Sequence, residues 1–114
     1  MKTLVDSHNR RINYLRISIT DRCNLRCRYC MPKEGISLFG PREILSYEEI
    51  LRLAALAVKR GIDKIRVTGG EPLVRKDVVH LIHEISRLEG VRDLSLTTNA
   101  LLLSDFARDL YRAG

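Results

Sequence analysis

The sequence predicts an α/β fold of parallel βα repeats. Three segments alternate apolar and polar residues with the period of a strand, helical patterns separate them, and a third helical pattern follows the last strand. The order is therefore βαβαβα, which implies a parallel sheet joined by right-handed crossovers. At 114 residues, 45% of them hydrophobic, the chain suits one domain with an adequate core.

The first strand is "YLRISIT" (14–20), where Leu15, Ile17 and Ile19 oppose Arg16, Ser18 and Thr20. Ser46 and Glu49 then form a capping box for "YEEILRLAALAVKR", whose Ile50, Leu53, Ala54, Ala57 and Val58 line one face. Gly61 ends that helix. In the second strand, "KIRVT" (64–68), Ile65 and Val67 oppose Lys64, Arg66 and Thr68. A second helix covers about Lys76 to Leu88, with Val78, Leu81, Ile82, Ile85 and Leu88 on one stripe and Gly90 after it. The third strand is "DLSLTT" (93–98), with Leu94 and Leu96 opposing Asp93, Ser95 and Thr97. The third helix begins near Ser104 and carries Phe106, Ala107 and Leu110.

Parallel sheets normally bury both faces and read as continuous apolar runs. Here each strand is apolar on one side only. With helices over that side, the other becomes a shared polar surface carrying Arg16, Lys64 and Arg66. A barrel or partial barrel with a polar, ligand-holding interior fits this pattern; a sheet face open to solvent is the alternative. The connection from Asp21 to Leu45 is long and holds Gly35, Gly40, Pro41 and every cysteine of the chain. Long connections of this kind in compact domains are usually functional.

Composition narrows the partners. Twenty Lys and Arg against fourteen Asp and Glu give a net charge of +6, which favours anions such as nucleotides, nucleic acid or acidic lipid. No run of like charges resembles a nucleic-acid tail, and aromatic residues for base stacking make up only 5%, so nucleic acid is not an expected partner. The longest apolar run, Leu53 to Val58, is far short of a membrane span. "MKTLVDSHNRR" is too polar for a signal peptide. A cytoplasmic location, with reduced thiols, is expected.

The three cysteines form Cys23-x3-Cys27-x2-Cys30. An odd count, short loops and a reducing compartment argue against disulfides. A structural zinc would need a fourth ligand from His8, His80 or His83, none local to the triad. An iron–sulfur cluster is the sharper reading: four cysteines per cluster are usual, and three leave one iron open for chemistry. In "TGGEP" (68–72), Gly69 and Gly70 permit positive φ and close approach of a ligand to the backbone, and Pro72 stops the strand. A plain βα turn would explain that much.

Together these motifs resemble the radical S-adenosylmethionine (SAM) superfamily. The resemblance implies a [4Fe–4S] cluster on Cys23, Cys27 and Cys30, with its open iron chelated by SAM. It also implies a 5′-deoxyadenosyl radical that abstracts hydrogen from the substrate. Tyr29 matches the aromatic that lies against the SAM adenine, and Gly70 belongs to the GGEP motif that binds the SAM amino group. The blocks "YLRISITDRCNLRCRYCMP", "LSYEEI", "IRVTGGEPLVRKD" and "LSLTTNA" are similar, in order and spacing, to the GTP 3′,8-cyclase family of molybdenum-cofactor biosynthesis.

That narrower resemblance implies GTP binding by Arg16, Arg66 and Thr97, all on the polar face read from alternation. The reaction implied is a lyase-type conversion of GTP to 3′,8-cyclo-7,8-dihydro-GTP, with no side chain acting as general acid or base. An electron donor and a downstream cyclic pyranopterin monophosphate synthase are the implied partners, with dimerisation an expectation for full-length members of the family. The family pattern also implies that residues 1–114 are the N-terminal part of a partial (β/α)6 TIM-like barrel. The remaining strands and a C-terminal second-cluster region would lie outside the chain, and turnover by the chain alone is expected to be incomplete. Ala100 stands where the family has glycine after "TTN". Another radical SAM activity, peptide-modifying or enzyme-activating, and a non-catalytic metal-binding module are the alternatives.

Overall fold

The computed structural model describes residues 3–23 and 44–114. Three strands, β1 (Tyr14–Ser18), β2 (Lys64–Thr68) and β3 (Asp93–Leu96), form one sheet in the order β1-β2-β3. Both pairings are parallel, and the register sets Arg16 beside Arg66 and Arg66 beside Ser95. Helices α1 (Tyr47–Lys59), α2 (Val78–Ser86) and α3 (Leu103–Ala113) follow the strands in turn, giving the βαβαβα order expected. A sequential order means that successive crossovers step the same way across the sheet. That is how a singly wound β/α barrel begins, whereas a doubly wound sheet reverses direction.

Helix α1 has a local reason both to start and to stop. Ser46 Oγ accepts a hydrogen bond from the Glu49 amide (3.2 Å), while the Ser46 amide donates to Glu49 Oε2 (2.9 Å), completing the capping box. At the other end Gly61 takes φ +100°, its amide donates to Val58 O (3.0 Å), and the Ile62 amide donates to Ala57 O (3.1 Å). This is a Schellman closure, and it needs a residue that tolerates the left-handed region. Proline at position 72 opens a single 3-10 turn, Pro72–Val74, which the sequence pattern does not indicate. The helix α2 starts at Val78, two residues later than expected, because Asp77 before it takes the left-handed backbone at φ +60°.

The core lies between the helices and one face of the sheet. Ile65 and Val67 of β2 meet Ile50 and Ala54 of α1 and Val78, Leu81, Ile82 and Ile85 of α2, all at 5% exposure or less. Two expected core positions are corrected. Leu53 is 52% exposed, because α1 turns Ala54 onto the sheet and leaves Leu53 on the flank of the buried stripe. Ala107 of α3 is also exposed, while Phe106 and Leu110 pack against the core. Among the described residues no helix is long and apolar enough to cross a membrane.

Candidate functional site

The opposite face of the sheet has no helix over it among the described residues. Tyr14, Arg16, Ser18 and Lys64 are exposed there, and Arg66, Thr68 and Ser95 are half-buried. Thr97 follows β3 on the same face, its amide held by Val67 O at 3.0 Å. The structure brings Arg66 and Thr97 into contact, since Arg66 Nη1 donates to Thr97 Oγ1 at 3.1 Å. Arg66 Nε donates to the Tyr14 hydroxyl at 2.8 Å, so the guanidinium is held from both sides. Arg16 sits on the adjacent strand in register with Arg66. Two parallel-strand neighbours of like charge repel, and they create a surface that favours an anion with several charges. Tyr14 was missed as a site residue, although its alternation with Arg16 places it on this face.

At the carboxyl ends of the strands the two sequence motifs meet. The Ile19 amide donates to Thr68 O (3.0 Å), the Gly70 amide to Thr20 O (2.7 Å) and the Glu71 amide to Arg22 O (2.7 Å). Thus the "TGGEP" turn is hydrogen-bonded to the backbone that leads directly into Cys23. Both glycines are required by this approach. A Cβ on Gly69, which takes φ +149°, would lie 2.6 Å from Thr20 O, and a Cβ on Gly70 would overlap the Arg22 carbonyl. The chain's own 20–22 segment occupies the space that glycine opens, where the sequence had suggested approach by a ligand.

Glu71, the acidic residue of that motif, is 1% exposed. Its carboxylate accepts from Thr98 Oγ1 at 2.6 and 2.8 Å and from the Asn99 amide at 2.8 Å. It therefore ties the end of β2 to the turn after β3, with charge-assisted bonds replacing the water it loses on burial. The sequence signal was present, since Glu71 lies inside the quoted motif, but the motif alone gives no hint that Thr98 is its partner. In the same turn Ala100 takes φ +69°, a left-handed backbone that disfavours any Cβ. This is the position where the sequence resemblance implies glycine.

Of the cysteines, Cys23 is partly exposed at the end of the hydrogen-bonded segment. Cys27, Cys30 and Tyr29 lie outside the described residues, as does most of the long connection. The described residues fit a cluster and SAM in one respect. They fix the backbone before the first thiolate and the glycine turn beside it as a single hydrogen-bonded unit. The histidines weighed for zinc stand apart from this unit, His80 exposed on α2 and His83 with its Nδ1 3.3 Å from Ala113 O at the end of α3. Among the described residues no three His, Cys, Asp or Glu side chains are grouped to hold a metal ion.

Known proteins resemble this chain over nearly its whole length. The chain is 61% identical over 110 residues to GTP 3′,8-cyclase of Thermodesulfovibrio yellowstonii, which covers 96% of this chain and 34% of that protein. It is 60% identical to GTP 3′,8-cyclase of Geobacter sulfurreducens, over 97% of this chain and 34% of that one. With molybdenum cofactor biosynthesis protein 1 of Homo sapiens the identity is 54%, over 97% of this chain and 18% of the human protein. The chain thus spans about a third of the length of the bacterial cyclases it matches. Residues 17–114 match the model of the radical SAM superfamily. Cysteine spacing, glycine turn, parallel βα order and this match agree: the chain belongs to the radical SAM superfamily.

Proposed function

We propose that this chain forms the part of a GTP 3′,8-cyclase that holds a [4Fe–4S] cluster, SAM and the substrate's triphosphate. The observation that carries the reading is the open sheet face. Arg16 and Arg66 are register neighbours there, and Arg66 already reaches the Thr97 hydroxyl. Guanidinium forks suit phosphate oxygens because they donate paired, coplanar hydrogen bonds. Identities of 54–61% to proteins named for GTP cyclisation or molybdenum-cofactor biosynthesis support the same reading.

In this reading Cys23, Cys27 and Cys30 would hold the cluster, and Tyr29 and Gly70 would contribute to the SAM site, Tyr29 toward the adenine and the Gly70 backbone toward the amino group. The cluster and SAM, when bound, supply hydrogen-abstracting radical chemistry at the ribose of GTP. The chain's own residues orient and neutralise: Arg16 and Arg66 bind phosphate oxygens, and the Thr97 hydroxyl fixes the angle of Arg66. No side chain need move a proton. An electron donor and an enzyme that consumes the cyclised nucleotide complete the setting, in a reducing, cytoplasmic compartment.

The test is GTP binding by calorimetry after anaerobic iron and sulfide reconstitution. Removing a charge-assisted donor pair should weaken binding about tenfold or more in both Arg16→Ala and Arg66→Ala. Unchanged affinity in both variants overturns the substrate assignment. A colourless protein holding one zinc after reconstitution overturns the cluster assignment.

A further inference from the structure

Arg75 lies just after the glycine motif, in the block "PLVRKD", and the proposed function gives it no part. Its guanidinium makes two main-chain contacts that are far apart in sequence. Nη1 donates to Ile19 O at 2.7 Å, and Nη2 donates to Leu45 O at 2.8 Å. Ile19 is the last apolar residue before the cysteine-bearing connection, and Leu45 is the residue that precedes the Ser46 cap of α1. One side chain therefore spans the two ends of that connection.

The guanidinium is itself fixed. It lies over the ring of Tyr47, 4.1 Å from the centroid, and the Tyr47 hydroxyl donates to Lys76 O at 2.6 Å, the carbonyl next along the chain from Arg75. Burial pushes the Tyr47 phenol above its ordinary value, opposed by the nearby Arg75 charge and aided by Asp77, so the ring stays neutral beneath the cation. The arrangement uses the property that separates arginine from lysine. A planar fork serves two acceptors at once, whereas an ammonium is a single point of charge.

We infer that Arg75 is a positioning residue for the cysteine-bearing segment, its guanidinium pinning both ends of that segment beside the glycine turn. The inference rests on the reading of Cys23, Cys27 and Cys30 as cluster ligands. A loop whose ends are already held at a fixed separation loses less conformational freedom when its thiolates are gathered on a metal site. The pin also connects the end of β1 to the start of α1, next to the 20–22 backbone that is bonded to the glycine turn and leads into Cys23.

The experiment compares wild type, Arg75→Lys, Tyr47→Leu and Ile85→Val after anaerobic reconstitution. Ile85→Val is a core control whose loss of thermal stability brackets that of the others without touching either end of the connection. The readouts are the rate of iron loss to a chelator and the EPR spectrum of the reduced cluster with and without SAM. Arg75→Lys should lose iron about fivefold faster or more and show an altered SAM-dependent spectrum, with Tyr47→Leu between it and wild type and Ile85→Val like wild type. Wild-type rates and spectra in Arg75→Lys overturn the inference. So does an equal acceleration in Ile85→Val, which would make the effect one of global stability. Cys27→Ala separates the two levels: if wild type and Cys27→Ala take up iron alike, the ligand reading itself fails.

Discussion

The two faces of the sheet are made from alternate residues of the same strands, yet they obey different rules. On the covered face, Ile65 and Val67 are at 1% and 0% exposure, wedged between α1 and α2. On the open face their immediate neighbours are charged: Lys64 is exposed, and Arg66 is half-buried with its guanidinium bonded to Tyr14 and Thr97. The contrast teaches that one period-two alternation carries two messages. The apolar half specifies where the helices go, and the polar half is left to be explained by something other than folding.

The strongest way to break that contrast is to damage the covered face. Ile85→Ala should cost about 2–5 kcal/mol, the range for emptying a well-packed aliphatic site, measured by urea unfolding of the apo chain. The next largest effect belongs to the rim where the faces meet. Glu71→Gln places an amide N–H against groups that already donate, and should cost about 1–3 kcal/mol in the same measurement. A cost near zero would mean that Thr98 and Asn99 find other partners. Ala100→Gly acts in the opposite direction: relieving the φ of +69° should raise stability by about 1 kcal/mol, visible as a higher melting temperature.

Substitutions on the open face sharpen the comparison by their small size. Arg16→Ala, which removes one of two like charges in register, should leave stability unchanged or raise it by about 0.2–1 kcal/mol at low salt, while weakening the GTP binding proposed for this face. A large loss of stability there would mean that the polar face also holds the fold together. The smallest effect lies outside both faces, in the N-terminal turn. There Asp6 accepts from the amides of His8 and Arg10 (both 2.9 Å) and from Arg10 Nε (2.7 Å). The amide of Arg10 is the main cause of a carboxyl held below its ordinary value, followed by opposing desolvation, the Arg10 side chain and the His8 amide. A depressed carboxyl contributes fully above its unfolded pKa and ceases to contribute as pH falls through the folded one. The His8 and Arg10 amide resonances should therefore shift together as the solution is taken below the usual carboxylate range.

Much of this was legible in the sequence because the signals were local. Alternation located all three strands to within two residues, and Ser46 with Glu49 fixed the start of α1 from a pattern four residues long. The residues placed on the polar face, Arg16, Arg66 and Thr97, lie there in the structure. What escaped notice depends on partners distant in sequence. Tyr14 and Arg66 are 52 positions apart, Arg75 and Ile19 are 56 apart, and Glu71 and Thr98 are 27 apart. Periodicity says which way a side chain points but not which group will be there to meet it. Leu53 was misplaced for a related reason, since both Leu53 and Ala54 satisfy a helical period, and only packing on the sheet decides which is turned inward.

The register of the strands also has a temporal consequence. Tyr14 pairs with Lys64 across an interval nearly twice that separating Lys64 from Asp93. Closing the shorter interval is entropically easier, and the α2 segment within it packs directly on β2. During synthesis or refolding, β2, α2 and β3 are expected to gain amide protection first, with β1 docking afterwards along their edge. Pulsed hydrogen exchange would reveal this as late protection of Leu15 and Ile17 relative to Ile65 and Leu94. On that order the backbone leading to Cys23 reaches its place only once the glycine turn awaiting it already exists, so a cluster could be assembled on a finished platform.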